Sequence, residues 1–174
     1  AYKSALVIYH APFAFTEVQR AWAFWYTTNC GFSNQVGNCR ITTSSKNVSS
    51  LKNKITNFTD TYSARLQGVQ IDNNDATEII ARYDTPNTFH YIDPPYIGAN
   101  QGHYGGYTQE HFNELLKTLS QIKGKFILSS YQNEELEKYV NEFAWKQHKV
   151  LLHLGSSHTK NKKRQEVLTI NFEI

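Results

Sequence analysis

The chain has 174 residues, 40% of them hydrophobic and 14% aromatic, and a formal net charge of only +3. This length can bury a real core. No apolar run approaches the ~20 residues of a membrane span, no basic-then-apolar leader opens the chain, and Cys30 and Cys39 do not make a disulfide framework, so a reducing, cytoplasmic setting is expected. Methionine is absent and the chain opens at Ala1 in structured-looking sequence, which reads as a piece of a longer protein.

In chain order, "ALVIY" (5–9) reads as a short strand or buried segment. "TEVQRAWAFWYTTN" reads as a helix, with Thr16 and Gln19 placed to satisfy its orphan amides reciprocally. The segment 30–47 is polar and without period, so loops are expected. Leu51, Ile55, Phe58, Tyr62 and Leu66 then recur at helical spacing up to Gly68. Beyond that the pattern alternates. "VQI" is a short strand, "DATEIIARY" a helix capped by Asp75, and "FHYI" a strand. "TQEHFNELLKTLSQI" is a helix capped by Thr108 and closed by Gly124. "KFILSS" is a strand, "EELEKYVNEF" a helix capped by Asn133, and "HKVLLHL" and "EVLTINFEI" are strands. Alternating strands and helices predict an α/β sheet, largely parallel, with the last two strands free to pair antiparallel across a loop.

The charges are segregated. From Val18 to Thr59 there is no acid but Arg20, Arg40, Lys46, Lys52 and Lys54; from Phe143 to Gln165 there is again no acid but Lys146, Lys149, Lys160, Lys162, Lys163 and Arg164. Two basic blocks around an acidic centre suggest a polyanion held over a catalytic site.

That centre holds "FHYIDPPYIG" (89–98), an apolar strand ending in Asp93, Pro94, Pro95 and Tyr96. In open α/β sheets ligands bind beyond the carboxyl ends of the strands. Proline fixes φ and has no N–H, so the Pro-Pro unit offers carbonyl acceptors from a stiff loop. With a carboxylate and a flat aromatic face beside them, the matching ligand is a planar group bearing an amine with two hydrogens to donate. An exocyclic amine on a nucleobase fits. Two acceptors can draw its N–H bonds out of the ring plane and free the nitrogen lone pair for attack. A duplex base must first leave the stack, and Tyr96 can stack on it.

At these residues the chain resembles the Dam-type (D12 class, α-group) adenine-specific DNA methyltransferases. The resemblance rests on "YIDPPY" (91–96) and on "VQRAWAFWYTTNCGFS", "VQIDNNDATEII", "HYGGYTQEHFNELL", "FILSSYQNEELEKYV" and "KKRQEVLTINFE" in the family's order. It implies a Rossmann-like, S-adenosylmethionine-dependent α/β fold with a helical target-recognition insert (residues 1–66 here) and the C-terminal part of the catalytic domain (67–174). It implies methyl transfer from S-adenosylmethionine to N6 of a flipped adenine in double-stranded DNA. Asp93, Pro94, Pro95 and Tyr96 would form the catalytic grip. Asp75, Ala76 and Asp93 would border the cofactor. Arg20, Arg40, Lys160, Lys162, Lys163 and Arg164 would meet DNA phosphates.

The chain departs from the family in one respect. The Phe-x-Gly-x-Gly loop that holds the methionine end of the cofactor, and the acid that holds its ribose, are not found in it. The family's order places them ahead of Ala1, with both missing strands between "VQI" and "FHYI", so a sheet incomplete at its N-terminal strands is expected. A missing N-terminal segment or a second chain would complete it. The exocyclic-amine argument by itself also admits cytosine N4 or an RNA base as acceptor, and the missing loop admits a non-catalytic DNA-binding fragment or subunit.

Overall fold

The computed structural model describes residues 1–30, 36, 45–98, 106–153 and 163–173. The chain divides into two compact units, Ala1–Gln70 and Ile71–Ile174.

The first unit is helical: α1 (Tyr2–His10), a 3-10 turn (Pro12–Ala14), α2 (Glu17–Cys30), α3 (Ser45–Thr56) and α4 (Asp60–Leu66). The expected strand at "ALVIY" is instead part of α1. Tyr2, Ala5 and Ile8, spaced by three, are buried while Val7 between them is 59% exposed, which is a helical face. A short apolar run has no period of its own to separate the two readings. Ala5 and Ala23 are both fully buried, and small side chains there let α1 and α2 approach closely. The start of α2 is as expected: Thr16 N–H donates to Gln19 Oε1 (3.0 Å) and Gln19 N–H to Thr16 Oγ1 (3.4 Å). The single helix expected through Leu66 is broken, because Thr59 is extended (φ −118°, ψ 172°) and restarts the chain as the N-cap of α4. Ser45–Asn47, expected in a loop, belong to α3.

The second unit is a mixed α/β layer: α5 (Ala76–Tyr83), β1 (Phe89–Ile92), α6 (Gln109–Leu119), β2 (Lys125–Tyr131), α7 (Glu134–Glu142), β3 (Lys146–His153) and β4 (Lys163–Ile170). "VQI" is not a strand; Val69 and Ile71 lie 54% and 77% exposed with no partner strand among the described residues. The sheet order is β1-β2-β4-β3. Only β1 and β2 run parallel, in the register Phe89↔Lys125 to Ile92↔Leu128; β2–β4 and β3–β4 are antiparallel, so the sheet is less parallel than expected. The expected gap inside the sheet is also absent among the described strands. With "VQI" outside the sheet, β1 is an edge strand among the described residues.

Alternation along β2 sorts the two faces. Phe126, Leu128 and Ser130 face a core with Ile80 of α5, Phe112, Leu115, Leu116 and Leu119 of α6, Leu136 of α7, Trp145 and Val167. Ile127, Ser129 and Tyr131 face the other way, with Phe89 and Tyr91 of β1 in register beside them. On that face Phe89 is 53% and Tyr91 67% exposed. The caps of α5, α6 and α7 are the predicted ones: Asp75, Thr108 and Asn133 each accept from first-turn amides. Gly124 does not close α6, which ends at Leu119. It opens β2 instead, where a Cβ would lie 2.6 Å from the Thr88 carbonyl oxygen, so its role is close approach of backbone. Its N–H and that of Lys123 donate to the Asp84 carboxylate (2.9 and 2.7 Å), which ties the end of α5 to the start of β2.

Candidate active site

β1 is pinned by Ile92, 9% exposed in the core, and delivers Asp93 to the surface at its carboxyl end. Pro94, Pro95 and Tyr96 follow, all half-buried. Neither proline has an N–H to leave unpaired, so this extended loop can lie partly buried without wasted donors. The turn after it needs glycine: Gly98 has φ +77°.

Tyr96 is held on two sides. Its hydroxyl lies 2.5 Å from Ser129 Oγ, and its ring meets Tyr131 edge-on, centroids 4.7 Å apart at 70°. Both partners come from the same face of β2, next to the carboxyl end of β1. Burial pushes the Tyr96 phenol up to about 12; the nearby Asp93 and Glu166 carboxylates add to the rise, and the Ser129 hydroxyl opposes it. Glu166 is the β4 residue paired with Tyr131. Tyr96 therefore stays protonated at neutral pH and can donate toward Asp93 while accepting from Ser129.

A second cluster forms where α5 and α6 begin. Asp75 Oδ1 accepts from Thr77 Oγ1 (2.5 Å) and Thr77 N–H (2.8 Å), and these bonds hold its carboxyl below the usual range. The Tyr107 ring stacks on His111 at 5.7 Å. Burial pushes the Tyr107 phenol up to about 12, and the Asp75 charge adds to it, so Asp75 and Tyr107 share one environment.

The structure brings Asp93, Pro94, Pro95 and Tyr96 together and sets Asp75 and Ala76 at the N-terminus of α5 in the same unit. Arg20 lies on α2 of the helical unit. Arg40, Lys160 and Lys162 lie outside the described residues, and Lys163 and Arg164 open β4, opposite His153 and Leu152. Sequence reasoning misses Ser129, Tyr131 and Tyr107. The signal for the first two is "SSY" closing an apolar strand, polar groups at a carboxyl end just as in "FHYID". Among the described residues no three His, Cys, Asp or Glu side chains group as metal ligands, and no helix is long and apolar enough to cross a membrane.

An exposed carboxylate followed by two prolines and a tyrosine stands at the carboxyl end of β1, the end of an open-sheet strand where ligands bind. The model of the D12 class N6 adenine-specific DNA methyltransferases matches residues 13–154, and the chain belongs to that family. No curated protein matches it. The activity is methyl transfer to N6 of adenine in DNA, which selects adenine over the cytosine-N4 and RNA alternatives, and the family implies S-adenosylmethionine as the donor. Asp75 keeps its carboxylate ionised at the N-terminus of α5, and an ionised carboxylate is an acceptor of the kind an adenine amine needs. For the methionine end, the described glycines of positive φ are Gly68, Gly98 and Gly106, and none of them follows a strand preceding β1.

Proposed function

We propose that Asp93, Pro94 and Tyr96 hold the target adenine, with Pro95 stiffening the loop. The Asp93 carboxylate and the Pro94 carbonyl accept the two N6 hydrogens, which makes the nitrogen more tetrahedral and turns its lone pair outward. The Tyr96 ring stacks on the extruded base. When bound, S-adenosylmethionine supplies the electrophilic methyl group. Asp75 and Ala76 face its adenine, with Asp93 bordering the donor side. The observation that carries this reading is the exposed Asp93 directly after the buried Ile92 of β1, one rigid dipeptide away from a Tyr96 that is fixed on two sides.

The helical unit serves target recognition, with Arg20 and Arg40 on phosphates. Lys160 and Lys162, ahead of β4 in the sequence, and Lys163 and Arg164, which open β4, serve the same end. The catalytic fold is Rossmann-like and is completed past β1. Strands of parallel sheets are normally covered on both faces, whereas β1 has one unpaired edge among the described residues and exposed Phe89 and Tyr91. Further strands bearing the glycine-rich cofactor loop, from another segment of the polypeptide or a second chain, would cover both.

The test is Asp93→Ala in the enzyme, assayed for labelled methyl incorporation into adenine-containing duplex. Losing one preorganised acceptor costs ~10²–10³ in rate, and a charged one more. Turnover close to wild type would refute the assignment.

A further inference from the structure

Adjacent serines on β2 have opposite fates. Ser130 is 3% exposed on the core face with Phe126 and Leu128, and its hydroxyl has no hydrogen-bond partner among the described residues. Ser129 is 4% exposed on the other face, and its hydroxyl lies 2.5 Å from that of Tyr96. Hydroxyls at two such positions are costly to bury, and only Ser129 recovers the cost through a bond. That bond joins residues 33 positions apart and connects the start of the loop after β1 to the neighbouring strand. Tyr131, two residues along on the same face, closes on the ring edge-on.

We infer that Ser129 is a positioning residue for methyl transfer: its buried hydroxyl fixes the Tyr96 hydroxyl, with Tyr131 packed T-shaped on the Tyr96 ring, and so sets the plane on which the target base is laid. The inference rests on the proposed role of Asp93 and Tyr96. A ring tethered at its hydroxyl and packed against a second ring has little freedom left to swing or tilt. A base stacked on it then meets the Asp93 acceptor in one orientation. Such alignment acts on the chemical step more than on DNA capture. Ser129 itself touches neither base nor donor in this scheme.

The experiment compares Ser129→Ala, Ser129→Thr, Tyr96→Phe and the Ser129→Ala/Tyr96→Phe pair, with Ser130→Ala as control, in methyl transfer to adenine duplex. Removing one neutral hydrogen bond from the alignment should lower kcat about three- to tenfold. The expected pattern is a fall in kcat for Ser129→Ala with KM for DNA little changed, recovery in Ser129→Thr, and no further loss when Ser129→Ala is added to Tyr96→Phe. A purely structural serine would instead lower activity equally in both backgrounds, and that result overturns the inference. A second readout does not depend on turnover. In ring-labelled tyrosine NMR, the Tyr96 signal, assigned by its loss in Tyr96→Phe, should shift in Ser129→Ala and stay put in Ser130→Ala. An unmoved signal also overturns the inference. A completed enzyme, cofactor loop included, without turnover on adenine duplex would count against the catalytic reading, while the NMR shift would still decide the Ser129 bond.

Discussion

The two units use apolar residues differently. In residues 71–174, α6 alone buries Phe112, Leu115, Leu116 and Leu119 to within 3% exposure, against a strand whose Phe126 and Leu128 are fully covered. Among the described residues of 1–70 the buried apolar side chains are Tyr2, Ala5, Ile8 and Ala23, while Phe13, Val18, Trp22, Phe24, Ile55, Phe58, Tyr62 and Leu66 stand exposed. The stripe Ile55, Phe58, Tyr62, Leu66 has helical spacing, yet each member is more than half exposed. These residues lie on both sides of the break at Thr59, so helical spacing in the sequence guarantees neither one continuous face nor its burial. The α/β unit has a packed core on one side of its sheet and can hold catalytic groups rigidly. Among its described residues the helical unit has a thin core and an open aromatic surface.

The sharpest way to break this comparison is by truncation. Phe126→Ala, which also removes an edge-to-face packing with Trp145, should cost ~3–5 kcal/mol. Phe13→Ala, at a fully exposed position, should stay within ~0.5 kcal/mol. Denaturant unfolding measures both, and similar costs would mean the helical unit's aromatics are packed after all.

Asp84→Ala comes next, at ~1–3 kcal/mol, because it strips the acceptor from the Lys123 and Gly124 amides. Burial of Asp84 works against its charge, but those two amides and His90 outweigh it and hold the carboxyl below its usual range. A depressed folded value means the stabilisation is complete above the ordinary carboxylate value and is lost as pH falls through the folded one. The wild type should therefore lose stability in acid more steeply than Asp84→Ala. Parallel pH profiles of unfolding midpoints would contradict this.

Smaller still is Ala144→Gly. Ala144 sits at φ +54° after α7, in the turn where Trp145 N–H reaches back to the Val140 carbonyl. Glycine removes the left-handed penalty and should stabilise by about 1 kcal/mol or less. On the recognition side, neutralising Lys160, Lys162, Lys163 and Arg164 should weaken binding of all DNA sequences alike. The log–log salt slope should fall by about 0.9 for each phosphate that is no longer neutralised. An unchanged slope would make them bystanders.

Local chemistry is what the sequence makes legible. The capping residues Thr16, Asp75, Thr108 and Asn133 can be read from it because one side chain and the next turn's amides suffice to define them. Asp-Pro-Pro-Tyr reads as a site because its stiffness and acceptor count lie in the tetrapeptide itself. "ALVIY" and "VQI" mislead because short apolar runs carry no period, and α1 is decided by Ala23 on another helix. Gly124 looks like the end of the helix before it, whereas its need for glycine comes from the Thr88 carbonyl, far along the chain. Ser129 is hidden for the same reason. Nothing in "FILSSY" says which serine meets Tyr96 until the register of β1 on β2 fixes the faces.

The most direct test of the central claim measures two quantities on one protein. In Asp93→Ala, cofactor binding by calorimetric titration and methyl transfer to adenine duplex are determined side by side with the wild type. If Asp93 acts on the acceptor amine, binding of S-adenosylmethionine stays within a few-fold while turnover falls by at least ~10²–10³. Loss of cofactor binding in step with turnover would contradict the account, because Asp93 would then act by holding the donor rather than on the acceptor amine.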